Sequence, residues 1–243
     1  MTLTLRWDPP PEPPRLGPAE VHVWAAGLDR PDAELGALWE TLSADERERA
    51  ERFRFERDRR RFIAARGTLR ALLSHYLKSP PETFHFSYSP YGKPALSDGA
   101  LSFNLSHSQA LALVALARAG PLGVDVEQVR ADFATLSIAE QFFSPAEVAA
   151  LRPLPDDERV EAFFNCWTRK EAFVKALGEG LSFPLKAFDV SLRPGEPAAL
   201  LRADGDPEAA SRWRIQALSP AAGYVAALAV RDQAARVQEW RWG

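Results

Sequence analysis

The feature that most limits how this chain can fold is that its order of strand and helix patterns occurs twice. A strand pattern, VHVWAA at 21–26, leads into helical patterns and then into strand-like runs at FHFSYS, LSFNLS and ALALVALAR, ending in the turn Ala119, Gly120, Pro121. The order then begins again, with strand GVDVEQV from Gly123, a helical stretch, a long helix through Glu171, and strand-like AFDVSL, WRIQAL and YVAALAV. Laid on one another, the halves match Phe62 with Trp167, Arg66 with Glu171 and Arg70 with Lys175. In the strands VHVW falls on VDVE, with His22 against Asp125 and Trp24 against Glu127. The expected architecture is α+β, two similar subdomains related by a pseudo-twofold axis, spanning 1–120 and 121–243. Equivalent helices and strands would then face each other across a cleft, and the site is expected at that interface.

Local signals punctuate this plan. Ser43 followed by Glu46 is a capping box that opens a helix, and the next helix carries Phe62, Leu69, Leu72, Leu73 and Tyr76 on one face. Ser144 caps a further helix with Pro145 in its first turn, and Gly178 stops the long one. The proline-rich stretch 9–14 suits neither a helix nor an inner strand and reads as an extended arm. Around FFSPAE, the residues Phe133, Leu136, Ile138, Phe142 and Phe143 are too apolar for a linker, so core packing is expected there, with a patch for a protein partner as the alternative.

Composition excludes several functions. Apolar residues make up 46% of the 243, enough for a sizeable core, and no apolar run approaches the roughly 18 residues of a membrane span. A net charge of -3 argues against general nucleic-acid binding. The single Cys166 has no partner for an internal disulfide, and MTLTLRWDPPPEPP lacks the apolar stretch of a signal peptide, so a cytoplasmic protein is expected.

The chemistry lies in two acidic segments. In GVDVE, Val124 and Val126 would point into a core while Asp125 and Glu127 share the other face. In WTRKEAFVK, Glu171 falls inside the apolar stripe of Val160, Phe163, Phe164, Trp167 and Val174, where a carboxylate is costly unless something positive meets it. Lys175 follows one turn on. A surface Glu-to-Lys pair and a solvated strand edge would explain either segment alone. Their joint occurrence favours a site. Three carboxylates without His or Cys suit a hard divalent cation such as Mg2+, which usually shares its shell with a phosphate.

In the first half Arg66 occupies its own apolar stripe at the matching position, and the run Arg57, Arg59, Arg60, Arg61 leads into the same helix. An acidic wall with a metal facing an arginine wall would trap a polyphosphate. An Arg66 ion pair inside the protein is the alternative. Lys93 is fixed by the turn YGKP, and in FNLSHS, Ser106 and His107 are candidate donors to a phosphate. A serine hydrolase triad is disfavoured there because adjacent residues diverge and no G-x-S-x-G elbow is present.

Taken in order, GKP, FNLSHS, GVDVE, FFSPAE and WTRKEAFVK resemble the signature of the 4'-phosphopantetheinyl transferases, and the two-copy layout resembles their larger, surfactin-synthetase-activating type. The matched motifs span about 91–181. The resemblance implies the fold of that family and an enzyme that transfers phosphopantetheine from coenzyme A, with Mg2+, to a serine of an apo acyl or peptidyl carrier protein, releasing 3',5'-ADP. It implies metal ligands at Asp125, Glu127 and Glu171, a role for Lys175 at the pyrophosphate, and contacts to coenzyme A from Lys93, Ser106 and His107. Glu171, Lys175 and Glu127 would be catalytic, with deprotonation falling to Glu171, Glu127 or a water on the metal. SADERERAERF departs from the basic stretch that relatives present before the first long helix, so Arg49, Arg60, Arg61 and Arg66 are the arginines expected to bind the 3'-phosphate. A monomer is expected, because one chain supplies both walls, with no membrane or nucleic-acid partner. The alternatives are a metal-dependent hydrolase of coenzyme A or a related nucleotide pyrophosphate, and a module that binds coenzyme A or carriers without catalysis.

Overall fold

Each half of the chain runs from one strand through a 22-residue helix to a short hairpin and a strand pair. The computed structural model describes residues 3–10, 14–180 and 183–243. The first half comprises β1 (Glu20–Gly27), α1 (Asp32–Glu40), α2 (Ala44–Glu51), α3 (Glu56–Leu77), β2 (Phe86–Tyr88), β3 (Pro94–Leu96), β4 (Ser102–Ser108) and β5 (Leu111–Ala117). The second comprises β6 (Leu122–Gln128), α4 (Leu136–Phe142), α5 (Pro145–Leu151), α6 (Asp156–Leu177), β7 (Phe188–Val190), β8 (Leu200–Ala203), α7 (Ala209–Arg212), β9 (Arg214–Leu218), β10 (Tyr224–Val230) and β11 (Arg236–Trp242).

The sequence signals explain most of these boundaries. Ser43 and Glu46 form the capping box of α2, and Ser144 and Glu147 that of α5, each satisfying two backbone N–H groups that the first turn leaves free. Both long helices end on a left-handed residue, Lys78 at φ 57° and Gly178 at φ 78°. FHFSYS yields only the three residues of β2. The prolines at 11–13 lie outside the described residues.

Two sheets pack face to face with a long helix on each outer side. The first sheet has the order β11-β1-β5-β4 and the second β6-β10-β9. Val21, Val23 and Ala25 of β1 and Leu111, Leu113 and Ala115 of β5 meet Leu122, Val124 and Val126 of β6 and Leu228 of β10 in one core. On its other face the first sheet packs Trp24, Phe103, Val114 and Leu116 on Leu69, Leu72 and Leu73 of α3. Ile215, Ala227 and Ala229 of the second sheet pack with Phe173 and Val174 of α6. Strand alternation produces both contacts, since odd and even residues point to opposite faces. The strands of the two halves face each other as expected, but across a closed sheet-to-sheet core that buries two apolar faces at once, while the long helices lie on the outer sides.

The observed correspondence between the halves also differs from the one read off the residues. Aligning the ends of α3 and α6 sets Arg70 against Lys170, Arg66 against Cys166 and Ala71 against Glu171. The strand ladders agree: Val21 pairs with Ala117 and Leu122 with Val230 at corresponding ends, which sets Trp24 against Asp125 and Ala26 against Glu127. Glu46 binds Arg70 (Nε to Oε2, 2.6 Å) and Glu147 binds Lys170 (Nζ to Oε2, 2.8 Å), one buried clip in two copies. The earlier pairing matched side-chain character and slid the helices by more than a turn.

Both chain ends cross between the halves. The N-terminal arm sets Trp7 into the inter-sheet core and bonds Arg6 N to Pro220 O at 2.8 Å, beside a bridge from Leu5 to Ala221. In return β11 lies parallel to β1 in the first sheet, so the second unit does not keep the whole of 121–243.

Candidate active site

Strand β6 carries two faces of opposite chemistry. Leu122, Val124 and Val126 enter the inter-sheet core, whereas Gly123, Asp125 and Glu127 face α6. A Cβ at Gly123 would stand 2.2 Å from Ala172 O and 2.4 Å from Ala176 N, inside any tolerable contact, so only glycine lets helix and strand close in. That approach seats Glu171 and Lys175 against the strand.

Lys175 Nζ lies 2.6 Å from Asp125 Oδ1 and donates to Ser106 Oγ at 2.9 Å, while Ser106 Oγ donates to Asp125 Oδ1 at 2.9 Å. Asp125 is 2% exposed and its Oδ2 has no hydrogen-bond partner among the described residues. Glu127 Oε2 accepts from Ser108 Oγ at 2.7 Å. Ser106 and Ser108 belong to β4 of the first sheet, so the site straddles the two halves. Asn104 completes the seam, its Oδ1 accepting from Val124 N at 2.8 Å along the edge that β6 leaves open.

The carboxylates repel one another. Burial raises the pKa of Glu127 and so does Asp125, with Ser108 and Lys175 pulling the other way and Glu171 adding to the rise. Burial and then Asp125 raise that of Glu171, against Lys175. Three acidic groups thus meet one ammonium. Among the described residues no three His, Cys, Asp or Glu side chains are gathered closely enough to hold a metal ion as they stand, and Lys175 rests on the carboxylate oxygen that a cation would share. The donor chemistry nevertheless fits Mg2+: the three candidate groups offer only oxygens, one buried carboxylate oxygen is orphaned, and two neighbours are under-compensated.

His107 alternates away from Ser106 along the strand and is exposed over part of its surface. Its pKa is lowered, first by desolvation and then by the nearby charges of Lys175, Arg49 and Arg61. Arg49 lies over the Phe62 ring at 5.4 Å and meets no carboxylate among the described residues. Arg61 forks onto Asp29 at 2.7 and 3.0 Å.

Other residues singled out in the sequence are engaged within the protein. Arg66 is 7% exposed, with Nε 2.7 Å from Glu46 Oε1 and its guanidinium over Phe86, so the internal ion pair wins over the basic wall. A buried guanidinium left without a carboxylate would be far costlier than one paired in place. Arg60 turns to Asp32 at 2.6 Å and to Arg30 O at 2.8 Å. Lys93 donates to Leu122 O at 3.0 Å and Ala176 O at 3.3 Å, bracing β6 and α6 from the first half, and burial depresses its pKa to about 8. Ser108 and Asn104 went unnoticed in the sequence, although period-two alternation in FNLSHS places both on the face of Ser106.

A cleft of about 240 Å³ opens beside Glu127 and Ser108, floored by Phe133, Phe164 and Trp167. A larger one, about 540 Å³, lies by the chain ends around Arg30 and Trp242, away from these carboxylates.

Two family models match this chain: one described as 4'-phosphopantetheinyl transferase, N-terminal, over 30–119, and one described as 4'-phosphopantetheinyl transferase superfamily, over 121–229. The chain is 41% identical over 240 residues to the 4'-phosphopantetheinyl transferase HetI of a Nostoc species, covering 97% of this chain and 98% of that protein. It is 32% identical over 175 residues to the 4'-phosphopantetheinyl transferase Sfp of Bacillus subtilis, covering 71% and 77%. A phosphopantetheinyl transferase of a Thraustochytrium species is 31% identical over 218 residues, covering 83% and 76%.

Proposed function

Because the chain belongs to the 4'-phosphopantetheinyl transferase superfamily, enzymes that move the phosphopantetheine arm of coenzyme A onto a carrier protein, we propose that it acts with Mg2+ held by Asp125, Glu127 and Glu171. The observation that supports this most is Asp125, buried, bridged to Lys175 and Ser106 through one oxygen and unpartnered at the other, beside two carboxylates of raised pKa. When bound, the ion supplies charge neutralisation at the diphosphate.

Arg49, Arg61 and Lys175, the cations around His107, account for the anionic end of coenzyme A, and the aromatic cleft next to Glu127 for its pantetheine arm. The acceptor serine hydroxyl attacks the phosphorus nearest the pantetheine, and the bond from that phosphorus to the oxygen of 3',5'-ADP breaks. Lys175 stabilises the negative charge that grows on the departing phosphate. The proton of the serine passes to Glu127, to Glu171 or to a water held beside them. The acceptor is an apo acyl or peptidyl carrier protein, and the enzyme acts as a monomer, since one chain brings together every group named. Action in the cytoplasm belongs to the same reading, supported by the single buried Cys166, which requires no oxidising compartment.

The test is to incubate the protein with apo carrier, coenzyme A and Mg2+ and weigh the carrier by mass spectrometry, with a chelator in a parallel tube. A gain of one phosphopantetheine, lost on chelation, is expected. Coenzyme A consumed without carrier modification would point to hydrolysis, and no change in either to binding alone.

A further inference from the structure

We propose that Ser108 is a positioning residue that orients Glu127 toward the cation, an inference that rests on the metal-ligand reading above. Gln128 N donates to Ser108 Oγ at 3.1 Å, and Ser108 Oγ lies 2.7 Å from Glu127 Oε2. A hydroxyl has a single proton. With a backbone N–H on its lone pair, that proton is directed at the carboxylate, so the two bonds form a one-way relay from the strand to Glu127. The relay engages only Oε2 and leaves Oε1 for the cleft that Glu127 lines.

Ser106 is differently placed. Its hydroxyl is shared between Asp125 and Lys175, so its loss would disturb the charge on both sides of the site. Ser108 touches no cationic side chain among the described residues, and its hydroxyl donates to Glu127 alone. Because Ser108 sits on β4 and Glu127 on β6, the relay also makes the carboxylate's aim depend on how the two sheets are seated. Fixing a ligand's free oxygen by hydrogen-bonding the other is a common way to tune a metal site, and losing such a partner typically weakens metal binding by about 10–100-fold.

The full-length protein without coenzyme A is titrated with Mn2+, and the free ion is followed by electron paramagnetic resonance. Ser108→Ala is expected to weaken Mn2+ binding by about tenfold or more, with Ser108→Thr restoring it. In the transfer assay Ser108→Ala is expected to raise the Mg2+ concentration needed for half-maximal rate by a similar factor. Ser108→Cys keeps the side-chain volume with a weak donor, and is expected to bind Mn2+ as poorly as the alanine variant. Asn104→Ala cuts the same seam at Val124 N without touching a carboxylate, so it is expected to lower the thermal midpoint and leave Mn2+ affinity unchanged. Equal Mn2+ affinity in wild type and Ser108→Ala, or an equal loss in Asn104→Ala, overturns the positioning role. Absence of Mn2+ binding in the wild type overturns the metal-ligand reading itself.

Discussion

Glu171 shows how a single side chain can be set against the stability of its own fold. It faces β6 from α6 among apolar neighbours, and burial together with Asp125 raises its pKa above the ordinary carboxylate value. A carboxylate whose folded pKa is raised loses stability as pH climbs from its unfolded value through the folded one, and the full cost is present above the folded value. Glu171→Gln is therefore expected to raise the thermal midpoint of the metal-free protein while lowering phosphopantetheine transfer by roughly a hundredfold or more. Calorimetry and the carrier mass assay read the two effects separately. Near-normal turnover in this variant would count against Glu171 as a ligand. Its position inside an apolar stripe was legible in the sequence, because a charge at a core position breaks a strong periodic pattern. Arg66 broke its pattern in the same way, yet it answers Glu46 on α2. Nothing local distinguishes a charge awaiting a ligand from one awaiting a partner twenty residues away in the chain.

Strand β6 and helix α6 act as one unit at the scale of elements. Gly123 sets their spacing, and the ion pair of Lys175 with Asp125 depends on it. Gly123→Ala would drive a methyl group into the backbone of α6, and is expected to cost about 1–3 kcal/mol or more and to displace Lys175. Urea unfolding checks the first expectation. A stability loss well under 1 kcal/mol would mean that the helix can back away freely. The capping boxes of α2 and α5 could be read from Ser43 and Ser144, since the signal spans four residues. The second task of Glu46 and Glu147, clipping each capped helix to its long neighbour through Arg70 and Lys170, could not, because a single residue type serves both jobs.

In the whole molecule Lys93 ties the hairpin of the first half to β6 and α6 of the second. Its folded pKa of about 8 lies below the ordinary 10.5 because burial disfavours the ammonium. Between those values the unfolded chain holds a proton that the folded protein has released, so stability rises with pH across that window; below about 8 both states are protonated and the burial cost is constant. Wild type is expected to gain more stability between pH 8 and 10.5 than Lys93→Met does, as measured by denaturant midpoints at the two ends. Parallel pH profiles for the two proteins would show that the amine is not desolvated as placed. The crossing of the N-terminal arm and of β11 works in the same sense, each half holding a piece of the other.

Taken by itself, the chain determined what short-range periodicity can encode: an α+β unit used twice, the strand that presents Asp125 and Glu127 on one face, the helix that presents Glu171 and Lys175 one turn apart, and the caps that start and stop the helices. These depend on residues within one or two turns of each other, where geometry leaves few choices. Only the tertiary structure decided that the long helices lie outside the facing sheets, that Arg66 and Lys93 are braces, that β4 supplies Ser108, and that the last strand returns to the first sheet. Each of those outcomes is a competition among many distant partners of similar local character, and it is settled by which arrangement leaves no apolar face and no buried charge unmatched.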